Sequence, residues 1–455
     1  MKTKNDFTHQ LLSLVLPISF QMFMLSLVSV SDAVMLGKLN QDSLSAVSLG
    51  SQIAFVFNLF IGAITMGESM FVAQFWGKKD MLHIKKVVAL VLRTTLIISF
   101  LFSLTAFCAP RLLMMLFTSE ENLILLGAKY LRVVAISYML TGVGQIYVCL
   151  MKNCGEAKRS TLISSVMVVL NIVLNAVFIF GLLGMPAMGI EGAALATVIS
   201  TGVGCVWAIV HSLKSDKISI SWCDLFQIKK AEKELSSRFW HHVLPVLGNQ
   251  LGWGCGVTMY SVILGHLGTD AVAANSIATI TKNLVLCFCW GLGSGGSIIV
   301  GNALGAGELE KAKEYGKKLC KLSIISGVIT GGVLLAAAPF ILRFSGISAA
   351  AKGYLKGMLL ISSYYVVGGS INSMTIGGIF PAGGDSRFGF ICDTVTLWCI
   401  TIPIGALAAF LFKWPVLVVY FLLNQDEIVK LPVVYRHYKK YEWVKNLTQK
   451  VDAFD

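Results

Sequence analysis

Of the 455 residues, 56% are hydrophobic and 13% charged, the formal net charge is +13, and the mean hydropathy is +0.75. Such a balance describes an integral membrane protein. The eleven cysteines stand singly, mostly in apolar runs, as Cys149, Cys205, Cys287 and Cys399 do. With no metal-ligand spacing among them, they read as small buried hydrophobes.

In chain order, a short polar stretch, 1–10, leads into a full-length apolar run from Leu11 with no small-residue cleavage site, so no removable signal peptide is expected. Twelve runs come near the ~20 apolar residues that cross ~30 Å of hydrocarbon. They are 11–36, 44–75, 87–109, 123–150, 160–183, 190–213, 240–265, 271–303, 319–342, 351–379, 388–412 and 415–434. The expected fold is therefore all-α, an integral membrane protein with twelve transmembrane helices in two pseudo-symmetric six-helix lobes. The first lobe is 1–214, a Lys- and Glu-rich cytoplasmic linker is 215–238, the second lobe is 239–434 and a cytoplasmic tail is 435–455. Tyr435, Tyr438, Tyr441 and Trp443 among the lysines of that tail suit a helix lying along the inner headgroup layer.

Lysine and arginine gather in alternate loops: Lys78, Lys79, Lys85 and Lys86, then Lys158 and Arg159, then the linker, then 311–321, then the tail. The positive-inside rule puts both termini in the cytoplasm. Topology and anionic headgroups explain the charge, so nucleic acid is not an expected partner. The expected partners are the lipid bilayer and small molecules, the setting is a cell membrane, most simply a bacterial inner membrane, and nothing asks for more than a monomer.

The strongest signal is an internal repeat, in which residues 15–77 answer 243–305 without a gap. Pro17 pairs with Pro245, Gly37 with Gly265, Gly67 with Gly295 and Gly77 with Gly305. Proline and glycine fix or free the backbone in ways that a merely apolar helix does not need. One residue out of register, Gly155-Glu-Ala-Lys158 answers Gly384-Asp-Ser-Arg387. Two related halves in a bilayer point to a transporter whose substrate path lies between the repeats.

Polar groups inside spans are costly, and they face protein or a water-filled cavity. Asp32 lies six residues before Lys38, about 9 Å below the outer face; Asn175 lies about 14 Å deep, Asn171 one turn further in, and Thr197 about 10 Å deep in the next span. Three helices thus present oxygens at similar depth. The set suits a cation held by hard oxygens, or a proton carried on Asp32 with the amides and hydroxyl as partners. The two asparagines equally suit plain interhelical hydrogen bonding, and Thr197 a bond back to its own helix. The repeat places Tyr260 opposite Asp32, and Ile400 and Ile404 opposite the asparagines, so the polarity belongs to one half only. That asymmetry favours an ion site over shared structural glue.

These residues resemble the multidrug and toxic compound extrusion (MATE) family, over essentially the whole chain. The elements carrying the resemblance are Pro17, Asp32 and Met35-Leu-Gly37; Gln74-Phe-Trp-Gly77-Lys-Lys-Asp80; Asn171-Ile-Val-Leu-Asn175; Gly181-Leu-Leu-Gly184-Met-Pro186; Gly189-Ile-Glu-Gly192 through Thr197; Gly305-Ala-Gly307; and Ala382-Gly-Gly-Asp385-Ser-Arg387. The resemblance, closest to the NorM-like branch, implies the MATE fold of the MOP superfamily and antiport of organic cations or other amphiphiles against Na⁺ or H⁺. It implies no cofactor beyond that coupling ion. Carried over residue by residue, its coupling site is Asp32, Asn171, Asn175 and Thr197, which would also be the Na⁺ ligands if sodium is the driving ion. Gln145 stands where the family often has Asn and either completes that site or ties helices together. The NorM-like pattern of acids in the second lobe is not met, since span seven has Cys255 and Gly256 and span ten has no acid.

Met35, Tyr138, Tyr260 and Trp253 are available to line a cleft for varied amphiphiles, as methionine and aromatic side chains re-pack around different ligands. Glu68 and Asp393 lie near the inner face and suit structural or gating roles as well as substrate contact, and Lys282 would oppose a purely cationic substrate or pair with an acid. A flippase for lipid-linked saccharide precursors is the rival reading and would gain from a cationic cavity around Lys282. A passive channel is weaker, for want of a filter-like loop. No HExxH, catalytic carboxylate pair or Ser/His arrangement occurs in the spans, so an enzyme is not expected.

Overall fold

The computed structural model describes residues 2–215, 218 and 232–449, and among these the chain is helical throughout, with no strand. The helices are α1 (Lys2–Leu39), α2 (Gln41–Lys78), α3 (Met81–Cys108), α4 (Pro110–Met115), α5 (Glu121–Asn153), α6 (Ala157–Phe180) and α7 (Gly189–Lys214). Then come α8 (Glu232–Gly265), α9 (Thr269–Gly305), α10 (Leu309–Phe344), α11 (Ala349–Met374), α12 (Phe380–Ala382) and α13 (Ser386–Thr394). The last are α14 (Ile402–Ala406), α15 (Val416–Leu423), α16 (Asp426–Val429) and α17 (Leu431–Lys440). Most of the expected linker, 216–217 and 219–231, lies outside the described residues, as does the end of the tail from 450, and from Glu232 the chain is already in α8.

Among the described residues nine segments are long and apolar enough to cross a bilayer: Phe7–Leu39, α2, α3, α5, α6, α7, α9, α10 and Ser386–Leu411. The other three spans are α8, α11 and the chain from α15 onward, giving the twelve of the expected all-α membrane fold. Those three carry polarity that protein covers instead of lipid: Ser362, Ser363, Ser370 and Asn372 of α11 are all buried. Lipid-facing surfaces show the opposite pattern, with Phe107, Leu112, Phe340 and Phe344 each more than half exposed. Backbone pairing inside helices is what a bilayer demands, since no water is there to satisfy it.

Several spans differ in outline from their hydropathy. The long α10 starts ten residues before the apolar run 319–342, because the ion pairs Lys311–Glu308, Lys313–Glu310 and Lys318–Glu314 support a polar first part. The eleventh span holds two π-helical stretches, Val395–Thr401 and Leu407–Leu411, flanking Pro403, whose missing N–H breaks the regular ladder. The twelfth, expected as one run 415–434, breaks at Asn424 and Gln425 and again at Lys430 into α15, α16 and α17. Nor does the tail run wholly along a surface: Trp443 is 0% exposed, packed with Tyr315, Phe380 and Tyr438.

The chain forms two compact units. One comprises Phe23–Val72 and Asp80–Arg238; the other comprises Met1–Met22, Ala73–Lys79 and Phe239–Asp455. This division departs from the sequence boundary at 214 by grouping the start of α1 and the end of α2 with the second half. Glycines explain it. A Cβ on Gly291 would strike Ser19, one on Gly295 would strike Val15, and Ser19 Oγ donates to the Phe288 carbonyl. At the end of α2, Gly77 sits on the Asn302 backbone while Gly305 sits on the Gln74 backbone. Residues 77 and 305, like 74 and 302, are repeat equivalents, so the two halves make the same close helix crossing on each other. Pro17 and Pro245 both lie inside long helices, as the repeat requires.

The first unit is built on α3, α5, α6 and α7, with Phe57, Ile61, Leu131, Ala135 and Tyr138 at its centre. Gly192 of α7 lies so close to α6 that a Cβ there would come within 2.7 Å of the Phe178 backbone, so α6 and α7 run in direct contact below the turn at Gly181.

Candidate functional site

Helix α6 sets Asn171 and Asn175 one turn apart on a single face, and the close α6–α7 packing brings Thr197 and Ser200 to that face. Asp32 enters from the second part of α1. Asn175 Nδ2 donates to Asp32 Oδ1 at 2.6 Å and to Asn171 Oδ1 at 3.1 Å. Asn171 Nδ2 in turn donates to Thr197 Oγ1 at 3.4 Å and Ser200 Oγ at 3.3 Å. The row is anchored to backbone by Thr197 Oγ1, which donates to the Ala193 carbonyl at 3.0 Å. Asn175 and Ser200 are each 1% exposed and Asn171 4%, while Asp32 and Thr197 are partly open.

The four residues expected from depth and asymmetry are thus one hydrogen-bonded row. Buried Asn175 Oδ1 has no hydrogen-bond partner among the described residues, so it and the second Asp32 oxygen remain as hard oxygen acceptors. A proton on Asp32, or a cation seated on these oxygens, is the chemistry the row can perform. Ser200 is a member that the sequence pattern does not single out, although its position three residues after Thr197 puts it on the same helical face. Gln145 is half-buried and, among the described residues, makes no hydrogen bond to this row.

The remaining expected residues scatter. Tyr138 is 3% exposed and packs among Phe57 and Phe102, with ring centroids 5.0 and 6.4 Å away, so it belongs to the core of the first unit instead of lining a cleft. Met35 packs beside Leu36, Val47 and Ile190. Glu68 is 0% exposed, with the Cys149 thiol and, further off, the Lys152 ammonium as polar neighbours. Tyr260 is half-buried in the core of the second unit.

Asp393, Lys282 and Trp253 come together in a polar cluster of the second unit whose main members the hydropathy pattern hides. Lys430 Nζ pairs with Asp393 Oδ1 at 2.7 Å and with Glu427 Oε1 at 3.0 Å. Asn249 Nδ2 donates to Asp393 Oδ2 at 2.9 Å, and Asn372 Nδ2 to Glu427 Oε2 at 2.8 Å. Lys282 finds no carboxylate within ion-pair distance among the described residues; its Nζ is 3.4 Å from Asn424 Oδ1 and 4.4 Å from the Tyr365 ring centre. Asp426, Glu427 and Lys430 fall within a run that reads as apolar, and their crowding at consecutive and i,i+3 positions is the signal available. Three acids accompany the two lysines, so the surroundings of Lys282 are not the cationic cavity a saccharide flippase would favour.

The family model described as MatE matches residues 17–177 and 246–407, well over half of the chain. An uncharacterized transporter, YisQ of Bacillus subtilis, is 22% identical over 452 residues, spanning 98% of this chain and 97% of its own. A probable multidrug resistance protein NorM of Thermotoga maritima is 22% identical, covering 87% of this chain and 84% of its own. Among solved structures, a mutant of the Vibrio cholerae MATE transporter VcmN superposes with a TM-score of 0.89 at 18% identity, over 98% of this chain and 99% of that one. A MOP superfamily transporter from Pyrococcus furiosus gives 0.86 at 19% identity, over 98% and 96%.

Proposed function

Because the chain belongs to the MatE family, whose members are membrane transporters for small molecules, we propose that it is a secondary antiporter exporting organic cations or amphiphilic metabolites against Na⁺ or H⁺. The coupling ion is held by Asp32, Asn171, Asn175 and Thr197. The observation that carries this reading is the 2.6 Å contact between Asn175 and Asp32 at the end of a buried polar row, where lipid and packed protein offer no other reason for a carboxylate.

The residues divide the work. Asp32 is the group whose charge changes: as an acid it carries a proton, as a carboxylate it draws a cation. Asn175 orients it, and Asn171 and Thr197 orient Asn175. Two lobes giving alternate access then link release of the ion to export of the substrate. The chain works as a monomer in a bacterial inner membrane with both termini cytoplasmic, as the basic loops favour. The NorM-named relatives, called multidrug resistance proteins, support the substrate class.

The test is efflux of ethidium from proteoliposomes under separately imposed Na⁺ and pH gradients. Gradient-driven efflux that Asp32→Asn abolishes supports the reading, and the effective gradient names the ion. Efflux that persists in the variant removes Asp32 as the carrier.

A further inference from the structure

We propose that Asp426 is a second proton-binding site, a carboxyl in the second half of the chain that carries one proton while its neighbours Asp393 and Glu427 pair with Lys430. The inference rests on the exporter reading for its role in transport, and on the geometry of the second unit for its existence.

Three carboxyls meet there, and they are served unequally. Both oxygens of Asp393 are taken, by Lys430 and Asn249, and both of Glu427, by Lys430 and Asn372. Asp426 is 6% exposed, and its Oδ1 is buried without a hydrogen-bond partner among the described residues. A buried ionised carboxylate with no partner is costly, and the usual escape is neutralisation. Charge arithmetic agrees. From its own segment Asp426 faces Glu427 and Lys430, from α13 Asp393, from α9 Lys282, and from α8 and α11 the hydroxyls of Tyr260 and Tyr365. Three acids against two ammonium groups leave one negative charge, and one added proton makes the cluster neutral.

There is room for water beside that carboxyl. Asp426 lines a cavity of about 10 Å³ with Asn249, Trp253, Asp393, Thr396 and Lys430, the room that one water molecule occupies. Trp253 on its wall is 41% exposed. Lys430 also decides against a metal ion: it lines the same cavity and its ammonium lies 2.7 Å from Asp393 Oδ1, so a Na⁺ there would meet a like charge at short range. A proton needs neither space nor a coordination shell. Arrival of an organic cation at this wall would compete for the same negative charge and discharge the proton, which gives the second half of the repeat its own part in coupling.

The experiment is infrared spectroscopy of the purified full chain carrying ¹³C-aspartate, in lipid, across a pH series and in Na⁺ or choline buffer. The expected result is a carbonyl band of a protonated aspartic acid that survives Asp32→Asn, is lost in Asp426→Asn and ignores Na⁺. An unchanged band in Asp426→Asn overturns the proposal, as does a band abolished by Na⁺, which would assign the site to a metal ion. Asp426→Glu, read with ¹³C-glutamate, is the second variant should the amide fail to fold, and its labelled acid band is expected to replace the lost one. Proton release on ethidium binding is the functional readout, expected to fall by about one per chain in Asp426→Asn. A parent that transports with coupling but shows no Asp426 band sinks this site alone. A parent that shows the band without coupled efflux leaves the site standing and sinks the exporter reading.

Discussion

Asn175 of α6 holds Asp32 of α1 by a single 2.6 Å hydrogen bond, and no other described side chain donates to that carboxylate. The amide is therefore what fixes the acid's orientation. Asn175→Asp puts a second carboxyl at that distance, where two like charges do not both ionise and a proton or cation must be shared. The expected outcome is tighter cation retention or a higher proton-to-substrate ratio, measured by ion flux in proteoliposomes. Unchanged stoichiometry and ion affinity would take Asn175 out of the site.

Gly77 and Gly305 make equivalent crossings, each lying on the backbone of the residue that precedes the other by one helical turn, Asn302 and Gln74 respectively. Any Cβ at either place collides with a carbonyl, which unlike a flexible side chain has no rotamer to escape into. Gly77→Ala and Gly305→Ala are each expected to cost about 1–3 kcal/mol through forced backbone shifts. Gly332→Ala is the control, a helical glycine with nothing within 4 Å of the added carbon, expected to be neutral or slightly stabilising. Melting of the purified variants in detergent decides it: indistinguishable midpoints for Gly305→Ala and Gly332→Ala would refute the crossing.

The acid of the duplicated Gly-acid-x-basic motif has the same task in both halves. Glu156 Oε2 lies 2.6 Å from His211 Nε2, and Asp385 Oδ2 lies 2.6 Å from His437 Nε2. Glu156 lies between α5 and α6, outside the spans. Partial burial works against its charge, but hydrogen bonds from His211 and Ser215 and the charges of His211 and Arg159 outweigh it, and its carboxyl sits below the usual glutamate range. A depressed acid contributes stability that is fully present above the unfolded value of about 4.3 and is lost as pH falls through the lower folded value. The stability gap between the parent and Glu156→Gln is thus expected to close below about pH 4. A gap that stayed open well below pH 4 would mean that the Glu156 carboxylate is not what stabilises the fold there.

What is readable in the sequence follows from what the bilayer enforces. The spans are legible because lipid demands long apolar runs, and Asp32, Asn171, Asn175 and Thr197 are legible because polarity inside such a run stands out and helical spacing fixes which residues share a face. Legibility fails where protein, not lipid, is the neighbour. Beside Asp426, Glu427 and Lys430 find their partners in Asn372 and Asp393, and Asp393 finds Asn249, all more than thirty residues away in sequence from Glu427 and Lys430, so no local pattern declares the cluster. Tyr138 has the composition of a cleft residue but the packing of a core one, a distinction that only tertiary contact draws. The allotment of residues 1–22 and 73–79 to the second unit likewise depends on glycine contacts across the repeat.

Trp443 and Gln74 tie the end of the described chain to the second unit. The indole is 0% exposed, stacks on Tyr438 with ring centroids 5.7 Å apart and lies over Gly316, while the Trp443 carbonyl sits on Gly383. Gln74 Nε2 donates to the carbonyls of Ala382 at 2.7 Å and Lys445 at 3.2 Å, and its Oε1 accepts from the Leu447 N–H at 2.6 Å. All three partners of that side chain are backbone groups, so no rotamer elsewhere replaces them. Trp443→Ala is expected to cost about 3–5 kcal/mol as a large buried aromatic is lost. Gln74→Ala is expected to cost about 1–3 kcal/mol by leaving buried backbone groups unpartnered. Because both changes loosen the same segment, their effects are expected to add to less than the sum in the double variant. Thermal unfolding of the parent, both singles and the double, with protease sensitivity after residue 440 as a second readout, checks it. Full additivity would mean that the indole and the amide hold the segment independently.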